Sequence, residues 1–231
     1  MDLKSQPKQD ELKKAAATWA AQHLKDGMIV GLGSGSTATF VVDEIGRLVK
    51  SGLRITGVPT SEKTADQARA LGIPLTTLAD YPEIDVTIDG ADEVELSTSN
   101  LIKGGGGNLL REKIVAAASK RLVIAVDESK LVEKLGIRWS VPVEVVQFGW
   151  QSTSRHLAAL GSKPVIRVDS KGKMYVTDGG NFILDCAFGL IESAAELQAR
   201  LDATVGVVEH GLFIGLASQV VVGGPAGVRV L

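Results

Sequence analysis

Met28-Ile-Val-Gly-Leu-Gly-Ser-Gly-Ser-Thr37 passes from a short apolar run directly into a loop of glycines and small polar residues. The apolar run predicts a buried strand, and Ser36 is a suitable N-cap for a helix that follows the loop. A glycine loop between a strand and a helix presents backbone N–H groups at the positive end of the helix dipole, where an anion such as phosphate is favoured. This segment therefore predicts an α/β fold with an anion site at the end of its first strand.

The same alternation of helix and strand patterns extends through the first half of the chain. Strands joined by helices of this length form a parallel sheet through right-handed crossovers, with helices on both faces. Such sheets bind ligands beyond the carboxyl ends of their strands. We therefore expect a Rossmann-like parallel sheet with a site at that edge. The predicted helices span 10–25, 36–52, 61–71 and 108–119, and the predicted strands span 28–32, 54–59, 85–88 and 122–126.

From about Gly136 the pattern changes to more strand candidates around two helices, which predicts a smaller α+β (ferredoxin-like) domain. The apolar, glycine-punctuated tail 212–231 is expected to return to the first sheet. We therefore expect a Rossmann-like domain built from 1–135 and 208–231, and a small domain over 136–207. The predicted strands of the small domain are 142–148, 164–168 and 182–188, and its predicted helices are 151–160 and 193–201.

The composition is that of an ordinary globular protein, since 45% of the 231 residues are hydrophobic and 23% are charged. A net charge of −2, without a run of Lys or Arg, argues against a nucleic-acid binder. The first residues are polar, and no apolar run approaches the roughly 20 residues of a membrane span, so we expect neither a secretion signal nor a membrane partner. The single cysteine, Cys186, excludes an internal disulfide and favours a reducing compartment, which predicts a soluble, cytoplasmic protein.

Three loops carry polar chemistry, and the first is the glycine loop 31–37. The hydroxyls of Ser34, Ser36 and Thr37, with the open backbone of Gly35, offer donors for a phosphate or for sugar hydroxyls. The loop is not a dinucleotide-binding fingerprint, because serine stands at the third glycine position and no acid ends the second strand. It also lacks the Gly-Lys-Ser/Thr of a Walker loop. The plainer alternative is a glycine turn that serves only the packing of strand against helix.

The second loop, Asp89-Gly-Ala-Asp-Glu93, follows a predicted buried strand. Carboxylates three positions apart at a strand end can converge on one ligand, either as acceptors for sugar hydroxyls or as metal ligands. A solvated turn that caps a helix is the alternative. His23, His156 and His210 are scattered without the spacing of a zinc site, so we interpret each as structural or solvated.

The third loop is Lys103-Gly-Gly-Gly-Gly-Asn-Leu-Leu-Arg-Glu-Lys113. Four consecutive glycines lose much backbone entropy on folding, which indicates a backbone that something must approach closely. Lys103 places a positive charge where the loop begins. Glu112 falls in the first turn of the following helix, where simple complementarity to the helix dipole, or a charge pair with a neighbouring Arg or Lys, is the alternative to a chemical role.

Taken together, these loops closely resemble the type A family of ribose-5-phosphate isomerases, and the resemblance runs from about Asp10 to Val230. Two departures are small, since Ser34 stands where threonine is frequent and Gly107 stands where alanine is common. Neither removes a functional group. The matching segments are Gly33-Ser-Gly-Ser-Thr37, Asp89-Gly-Ala-Asp-Glu93, Lys103-Gly-Gly-Gly106, Arg111-Glu-Lys113 and Asp127-Glu-Ser-Lys130.

The resemblance implies interconversion of ribose 5-phosphate and ribulose 5-phosphate through a cis-enediolate. Glu112 matches the base that moves a proton between C2 and C1, and a partly desolvated carboxylate suits that role. Lys103 would stabilise the enediolate oxygen, Asp89 would open the furanose ring and Asp92 would hold hydroxyls. Either Lys13 or Lys14 is a weaker candidate for reaching the phosphate.

The resemblance also implies that no metal and no organic cofactor is required. It supports a homodimer or a dimer of dimers, which the apolar tail and the strand-rich second half also favour because they offer hydrophobic surface. The implied substrate-binding residues are Ser34, Gly35, Ser36, Thr37, Asp89, Gly90, Ala91, Asp92, Lys103, Gly104, Gly105, Gly106 and Lys130.

Two other functions are compatible with the loops. A coenzyme A transferase uses a related parallel sheet with an active glutamate, here Glu112, as acyl nucleophile. A sugar-phosphate sensor would keep the binding loops, but it needs a DNA-reading module, for which we expect no room ahead of Met28. Without the resemblance, the residues alone predict an α/β enzyme that binds a sugar phosphate or another anion.

Overall fold

The computed structural model describes residues 6–231, with side chains from residue 9 onward. The first five residues of the predicted Rossmann-like domain lie outside the described part of the chain. The helices within it are α1 (Gln6–Ala21), α2 (Ser36–Lys50), α3 (Glu62–Ala70), α4 (Leu109–Ala117), α5 (Trp150–Ala159) and α6 (Ala194–Asp202). The strands are β1 (Ile29–Leu32), β2 (Thr56–Pro59), β3 (Val86–Asp89), β4 (Glu93–Glu95), β5 (Leu101–Ile102), β6 (Leu122–Asp127), β7 (Leu131–Val132), β8 (Val141–Val145), β9 (Lys163–Ile166), β10 (Phe182–Ala187), β11 (Val207–His210), β12 (Leu212–Phe213), β13 (Gln219–Gly224) and β14 (Gly227–Val230).

The chain forms two compact units, of which the first comprises the residues up to 91 together with 111–131 and 216–231. Its sheet has six strands in the order β14-β13-β6-β3-β1-β2, and every neighbouring pair is parallel except β13 and β14. From β1 the chain moves to one side for β2 and to the other side for β3. The topological switch point, where parallel sheets bind ligands, therefore lies between β1 and β3.

Helices cover both faces of this sheet. Val30 and Leu32 of β1 pack in a buried core that also contains apolar residues of α1 and α2. Gly31 faces the opposite side, where an added Cβ atom would lie 2.8 Å from Cγ1 of Val115 in α4. The alternation along β1 thus sends successive residues to helices on opposite faces, and the predicted Rossmann-like sheet is confirmed. The C-terminal tail returns to this sheet as β13 and β14.

The second unit comprises 92–110 and 132–215. One of its sheets has the strand order β11-β8-β10-β9 with all pairs antiparallel. Its elements follow one another as β8-α5-β9-β10-α6-β11, which is the βαββαβ order of a ferredoxin-like fold. Val143, Leu157, Leu184 and Leu201 are fully buried in its core. The predicted ferredoxin-like fold is confirmed.

A third sheet, with the order β12-β5-β4-β7, was not predicted. Its strands are two or three residues long, too short to show a periodic pattern in the sequence. Most of its residues fall in the second unit, so the second unit begins at Asp92, whereas the sequence placed 92–110 in the first domain. This pairing of short segments draws the residues after Asp92 into the second unit.

The predicted bounds of the longer elements either match the observed bounds or differ from them by up to four residues, and the largest difference is at α1. We predicted this helix over 10–25, whereas the structure has it over Gln6–Ala21. The chain leaves the helix early because Gly27 donates its N–H to the carbonyl of Arg54 at 2.7 Å, and Arg54 donates its own N–H to Asp26 at 3.0 Å. These bonds join the segment before β1 to the segment before β2.

Candidate active site

Gly33 lets the first loop approach Asp89 at the carboxyl ends of β1 and β3. A Cβ atom on Gly33 would lie 2.6 Å from the Cα atom of Asp89, closer than a real side chain tolerates. The backbone N–H of Gly33 donates to the carbonyl of Ile88 at 3.0 Å, which continues the pairing of the two strands. A glycine is therefore required at position 33 by the closeness of the two loops.

Asp89 is the last residue of β3, and only 1% of its surface is exposed. Its Oδ1 atom accepts the N–H of Ser34 at 3.1 Å and the N–H of Gly90 at 2.7 Å. Two backbone donors on one carboxylate oxygen fix the direction of the side chain. The structure thus brings the predicted residues Ser34, Asp89 and Gly90 together.

The hydroxyl of Ser34 points into the protein. Its Oγ atom lies 2.7 Å from Oγ1 of Thr60 and 2.9 Å from Oγ of Ser61, in a buried group of hydroxyls between the end of β2 and the start of α3. The sequence assigned this hydroxyl to a ligand. In the structure the Ser34 side chain instead ties its loop to the neighbouring strand and helix.

The N-terminus of α2 is formed by the other residues of this loop. Gly35 is the N-cap residue, with a φ of 98° that favours glycine, and it has no side chain to accept the first N–H groups of the helix. Ser36 is exposed and Thr37 is buried. The backbone N–H groups of this first turn and the hydroxyls of Ser36 and Thr37 can therefore surround an anion.

Glu112 lies in the first turn of α4, and 4% of its surface is exposed. A carboxylate in the first turn is favoured by the helix dipole, whereas burial disfavours its charge. Its neighbour Arg111 donates to Oε1 of Glu62 at 2.8 Å, and this hydrogen bond lowers the pKa of Glu62. Glu112 is thus a carboxylate withdrawn from water, as a general base acting on a carbon-bound proton needs to be.

Within the second unit, Asp92 and Lys103 are held by the backbone of the glycine loop and its neighbours. The N–H of Gly105 donates to Oδ2 of Asp92 at 2.7 Å. Lys103 is 3% exposed, its Nζ atom lies 5.5 Å from the centre of the buried Phe213 ring, and its N–H donates to the carbonyl of Gly211 at 2.8 Å. The ring face attracts the ammonium and holds a lysine that is otherwise costly to bury.

Comparison with known proteins explains this set of loops. Residues 56–227 match the family model described as ribose 5-phosphate isomerase A (phosphoriboisomerase A). The chain belongs to the ribose-5-phosphate isomerase A family. A curated member from Synechococcus sp. (strain JA-3-3Ab) is 55% identical over 96% of this chain and 97% of its own length. A second, from Gloeobacter violaceus, is also 55% identical, over 96% of each chain.

Solved structures of the family have the same fold. Ribose 5-phosphate isomerase A from Methanocaldococcus jannaschii is similar with a TM-score of 0.92 and 42% identity, over 96% of this chain and 98% of its own. A D-ribose-5-phosphate isomerase in complex with phospho-erythronic acid is similar with a TM-score of 0.93 and 37% identity, over the same shares. The high coverage extends the likeness to both units of this family member.

The two lysine candidates of α1 differ in their surroundings in this ribose-5-phosphate isomerase A. Lys13 is 9% exposed, and its Nζ atom pairs with Asp10 at 3.2 Å, whereas Lys14 is exposed. One turn earlier, Gln9 donates to Oγ of Ser129 at 3.1 Å. The start of α1 therefore lies beside the 3₁₀ turn Glu128–Lys130 that follows β6, at the carboxyl edge of the sheet.

Glu93 is a buried group that the sequence did not single out. Its side chain is in β4 and fully buried, and it accepts the N–H groups of Gly136 and Arg138 at 2.6 Å each and that of Trp139 at 2.9 Å. Three backbone donors on one carboxylate fix the segment after β7. Its place at the end of the Asp89–Glu93 motif was the available signal, but its partners lie more than 40 positions away.

Arg167 is a second residue that the sequence did not assign. Its guanidinium donates to the carbonyls of Gly104 at 2.8 Å and Gly105 at 3.2 Å, and it pairs with Asp185 of β10. It therefore supports the glycine loop from the side of the ferredoxin-like sheet. An arginine and an aspartate in two predicted strands were the only signal of this contact.

Within residues 6–231, one group of three potential metal ligands lies close together, formed by Asp202, Glu209 and His210. His210 is buried, and its Nε2 atom lies 3.0 Å from Asp202, so a structural ion pair or hydrogen bond accounts for the group. These residues belong to none of the three loops. In the same part of the chain, no helix combines the length and the apolar character needed to cross a membrane.

Proposed function

We propose that this protein interconverts D-ribose 5-phosphate and D-ribulose 5-phosphate by moving a proton between C2 and C1. The observation that carries the proposal is the buried carboxylate of Asp89, held by the N–H of Ser34 beside the open N-terminus of α2. A sugar phosphate offers both an anion for the helix N-terminus and hydroxyls for the carboxylate. Family membership and the names of the relatives support the substrate class.

In this proposal the phosphate binds at the first turn of α2, which offers backbone N–H groups and the hydroxyls of Ser36 and Thr37. Lys13 and Lys130 add positive charge at the same edge of the first unit. Between the two lysines of α1, the burial of Lys13 favours it over the exposed Lys14. Gly35 contributes its backbone, because any side chain would be strained at its φ.

The chemistry then proceeds in two stages. Asp89 accepts the proton of the anomeric C1 hydroxyl as the C1–O4 bond of the furanose breaks, and it passes that proton to O4, which leaves the open-chain aldehyde. Glu112 removes the proton from C2, and the electron pair moves into a cis-enediolate. Glu112 returns that proton to C1, while the hydroxyl proton moves from O2 to O1, so that atoms balance and a ketose results.

Two groups of the second unit have supporting roles in the proposal. Lys103 stabilises the negative oxygen of the enediolate, which is usually the largest contribution to catalysis of this kind. Asp92 holds sugar hydroxyls, and the backbone of Gly90, Ala91 and the loop Gly104–Gly106 lines the substrate. All of these roles are proposals from the family motif, and none requires a metal or an organic cofactor.

The direct test is formation of ribulose 5-phosphate from ribose 5-phosphate by the purified chain, with EDTA present throughout. We expect turnover that is unaffected by the chelator. Activity that is lost on dialysis and restored by a divalent ion would recast Asp89 and Asp92 as metal ligands. Acyl exchange between coenzyme A esters without isomerisation would favour the transferase, and binding without turnover would favour the sensor.

We also propose that the protein is a homodimer or a dimer of dimers, in the cytoplasm. The apolar tail supports an oligomer less than we expected from the sequence, because Val220, Val221 and Val222 are fully buried in the first sheet. The second unit supports it better, because Phe148 is 94% exposed and Val205 is 81% exposed. Sedimentation at micromolar concentration tests it, and a mass near 24.3 kDa would contradict it.

A further inference from the structure

Four hydroxyl groups form a buried cluster where β1 and β2 end and α3 begins. They belong to Ser34, Thr60, Ser61 and Thr64, none of which is more than 8% exposed. Thr64 lies in the first turn of α3, and its N–H is capped by Oγ of Ser61 at 3.1 Å. Of these four hydroxyls, only that of Ser34 belongs to one of the three loops in the proposed function.

Each hydroxyl has one proton to donate and two lone pairs to accept, so the protons of the cluster can be counted. Thr60 donates to the carbonyl of the last residue of β1 at 3.0 Å, and Thr64 donates to the carbonyl of Gly33 at 3.0 Å. Ser61 donates to Oγ1 of Thr64 at 2.9 Å. The remaining proton, that of Ser34, goes to one of the other three hydroxyls, which lie at 2.7 Å (Thr60), 2.9 Å (Ser61) and 3.2 Å (Thr64). All four protons are used inside the protein, so the cluster is built to hold a backbone and not a phosphate.

The backbone that it holds is the peptide group between Gly33 and Ser34. On one side, the carbonyl of Gly33 accepts the hydroxyl proton of Thr64. On the other side, the N–H of Ser34 donates to Oδ1 of Asp89 at 3.1 Å. A trans peptide directs its C=O and N–H in opposite directions. Thr64 and Asp89 therefore form hydrogen bonds with the same peptide group from opposite sides.

We infer that Thr64 is a positioning residue for Asp89, an inference that rests on the proposed function in which Asp89 opens the sugar ring. Rotation of the Gly33–Ser34 peptide would break the bond to Thr64 and the bond to Asp89 together. The hydroxyl of Thr64 therefore sets the direction from which the N–H of Ser34 reaches the carboxylate. Without that hydroxyl, the buried carbonyl of Gly33 loses its side-chain donor, and the peptide group rotates toward another hydrogen-bond donor.

The experiment compares Thr64→Val, which keeps the shape but removes the hydroxyl, with Thr64→Ser, which keeps the hydroxyl. The matched control is Thr153→Val, because Thr153 is also a buried threonine whose hydroxyl donates to a backbone carbonyl, that of Val205 at 3.3 Å, in the second unit. Steady-state kinetics with ribose 5-phosphate and the ¹H–¹⁵N resonance of the Ser34 amide are measured for each variant.

We expect Thr64→Val to lower kcat/KM by about 10-fold or more, mainly through kcat, because small misplacements of a catalytic group are costly. The Ser34 amide resonance moves in the same variant. Thr64→Ser restores kcat/KM to within about threefold and returns the resonance, since it keeps the donor. Thr153→Val loses stability to a similar degree but keeps the kinetics of the parent.

Parent-like kinetics or an unmoved Ser34 resonance in Thr64→Val would overturn the inference, as would a Thr64→Ser variant no better than Thr64→Val. If Thr64→Val does not fold, Thr64→Ala takes its place in the same comparison. A parent protein that fails to isomerise ribose 5-phosphate refutes the proposed function instead. In that case the Ser34 resonance still decides whether Thr64 holds the peptide.

Discussion

Oδ1 of Asp89 accepts the backbone N–H of Ser34 at 3.1 Å and so joins two loops that are 55 positions apart in the sequence. This bond needs the close approach of the two loops, and Gly33 makes that approach possible. The carboxylate that we propose opens the sugar ring is thereby oriented by the same segment that begins helix α2, the proposed phosphate site. In the proposed function, phosphate binding and ring opening therefore both depend on one short segment of backbone.

The first prediction follows from this closeness. In Gly33→Ala the new methyl group would lie 2.6 Å from the Cα atom of Asp89, so β3 or the loop must shift. We expect kcat/KM to fall by about 10²-fold or more, because a displacement of about 1 Å of a catalytic group has this effect. Gly46→Ala is the control. Gly46 lies in α2, and its new methyl group would crowd Cβ of Leu71 at 2.8 Å and not the carboxylate of Asp89. Equal kinetic losses in the two variants would contradict the argument.

The second prediction concerns Glu112 as the base. Glu112→Gln preserves the shape and removes the charge, so turnover should fall by about 10²- to 10⁴-fold, the usual contribution of a general base. Exchange of the C2 or C1 hydrogen of the substrate with deuterated water should fall in parallel, because the same carboxylate takes and returns the proton.

The control for Glu112→Gln is Glu196→Gln, a first-turn glutamate of α6 that is exposed. It removes the same interaction with a helix dipole, worth about 0.3–1 kcal/mol, without touching the proposed chemistry. A folded Glu112→Gln variant with normal turnover and exchange would leave Asp89 or Asp92 as the base.

The parallel sheet could be predicted because its elements are long enough to carry a period. The predicted strand 28–32 differs from β1 by one residue at one end, and the predicted helix 61–71 differs from α3 by one residue at each end. The loops could be predicted because glycine and carboxylate clusters at strand ends have few other uses. Gly33 and Asp89 stood out in this way, whereas the role of Glu112 was implied by the family resemblance.

The network behind those loops could not be predicted. Thr64 and Glu93 bind backbone atoms that lie from 31 to 46 positions away in the sequence. A hydroxyl or a carboxylate gives no sign in the sequence of which backbone group it will bind. The Ser34 hydroxyl was assigned to a ligand for the same reason, since the sequence does not show that Thr60 and Ser61 lie beside it. The third sheet was missed because its strands, of two or three residues, are too short to show the alternation that identifies a strand.

The third prediction concerns the single cysteine. Cys186 is fully buried in β10, and burial raises the pKa of its thiol to about 12. At pH 7 to 9 the folded protein should therefore resist alkylation by iodoacetamide, which requires a thiolate, whereas the unfolded protein should react. Because the folded pKa lies above the unfolded value of 9.0, stability from this group is complete below pH 9 and declines as the pH rises toward 12. Rapid labelling of the native protein at pH 8 would show that the thiol is accessible.

The fourth prediction separates the two lysines of α1. Lys13 is buried on the side of α1 that packs in the first unit, and its partner Asp10 is about half exposed, so the pair contributes little and leaves the ammonium able to meet an anion. If Lys13 binds the phosphate, Lys13→Ala should raise KM for ribose 5-phosphate by about 10-fold, as expected for the loss of a hydrogen bond to a charged group, with a smaller change in kcat. Inhibition by inorganic phosphate should weaken by a similar factor, because that anion would use the same ammonium.

Lys14→Ala provides the matched control, because it removes an equal charge at the neighbouring position, where the side chain is exposed. We expect it to leave the KM for ribose 5-phosphate and the inhibition by phosphate unchanged. Equal effects of the two substitutions would mean that α1 contributes only a general positive potential. A Lys13→Ala variant with the KM of the parent would mean that α2 and Lys130 bind the phosphate without Lys13.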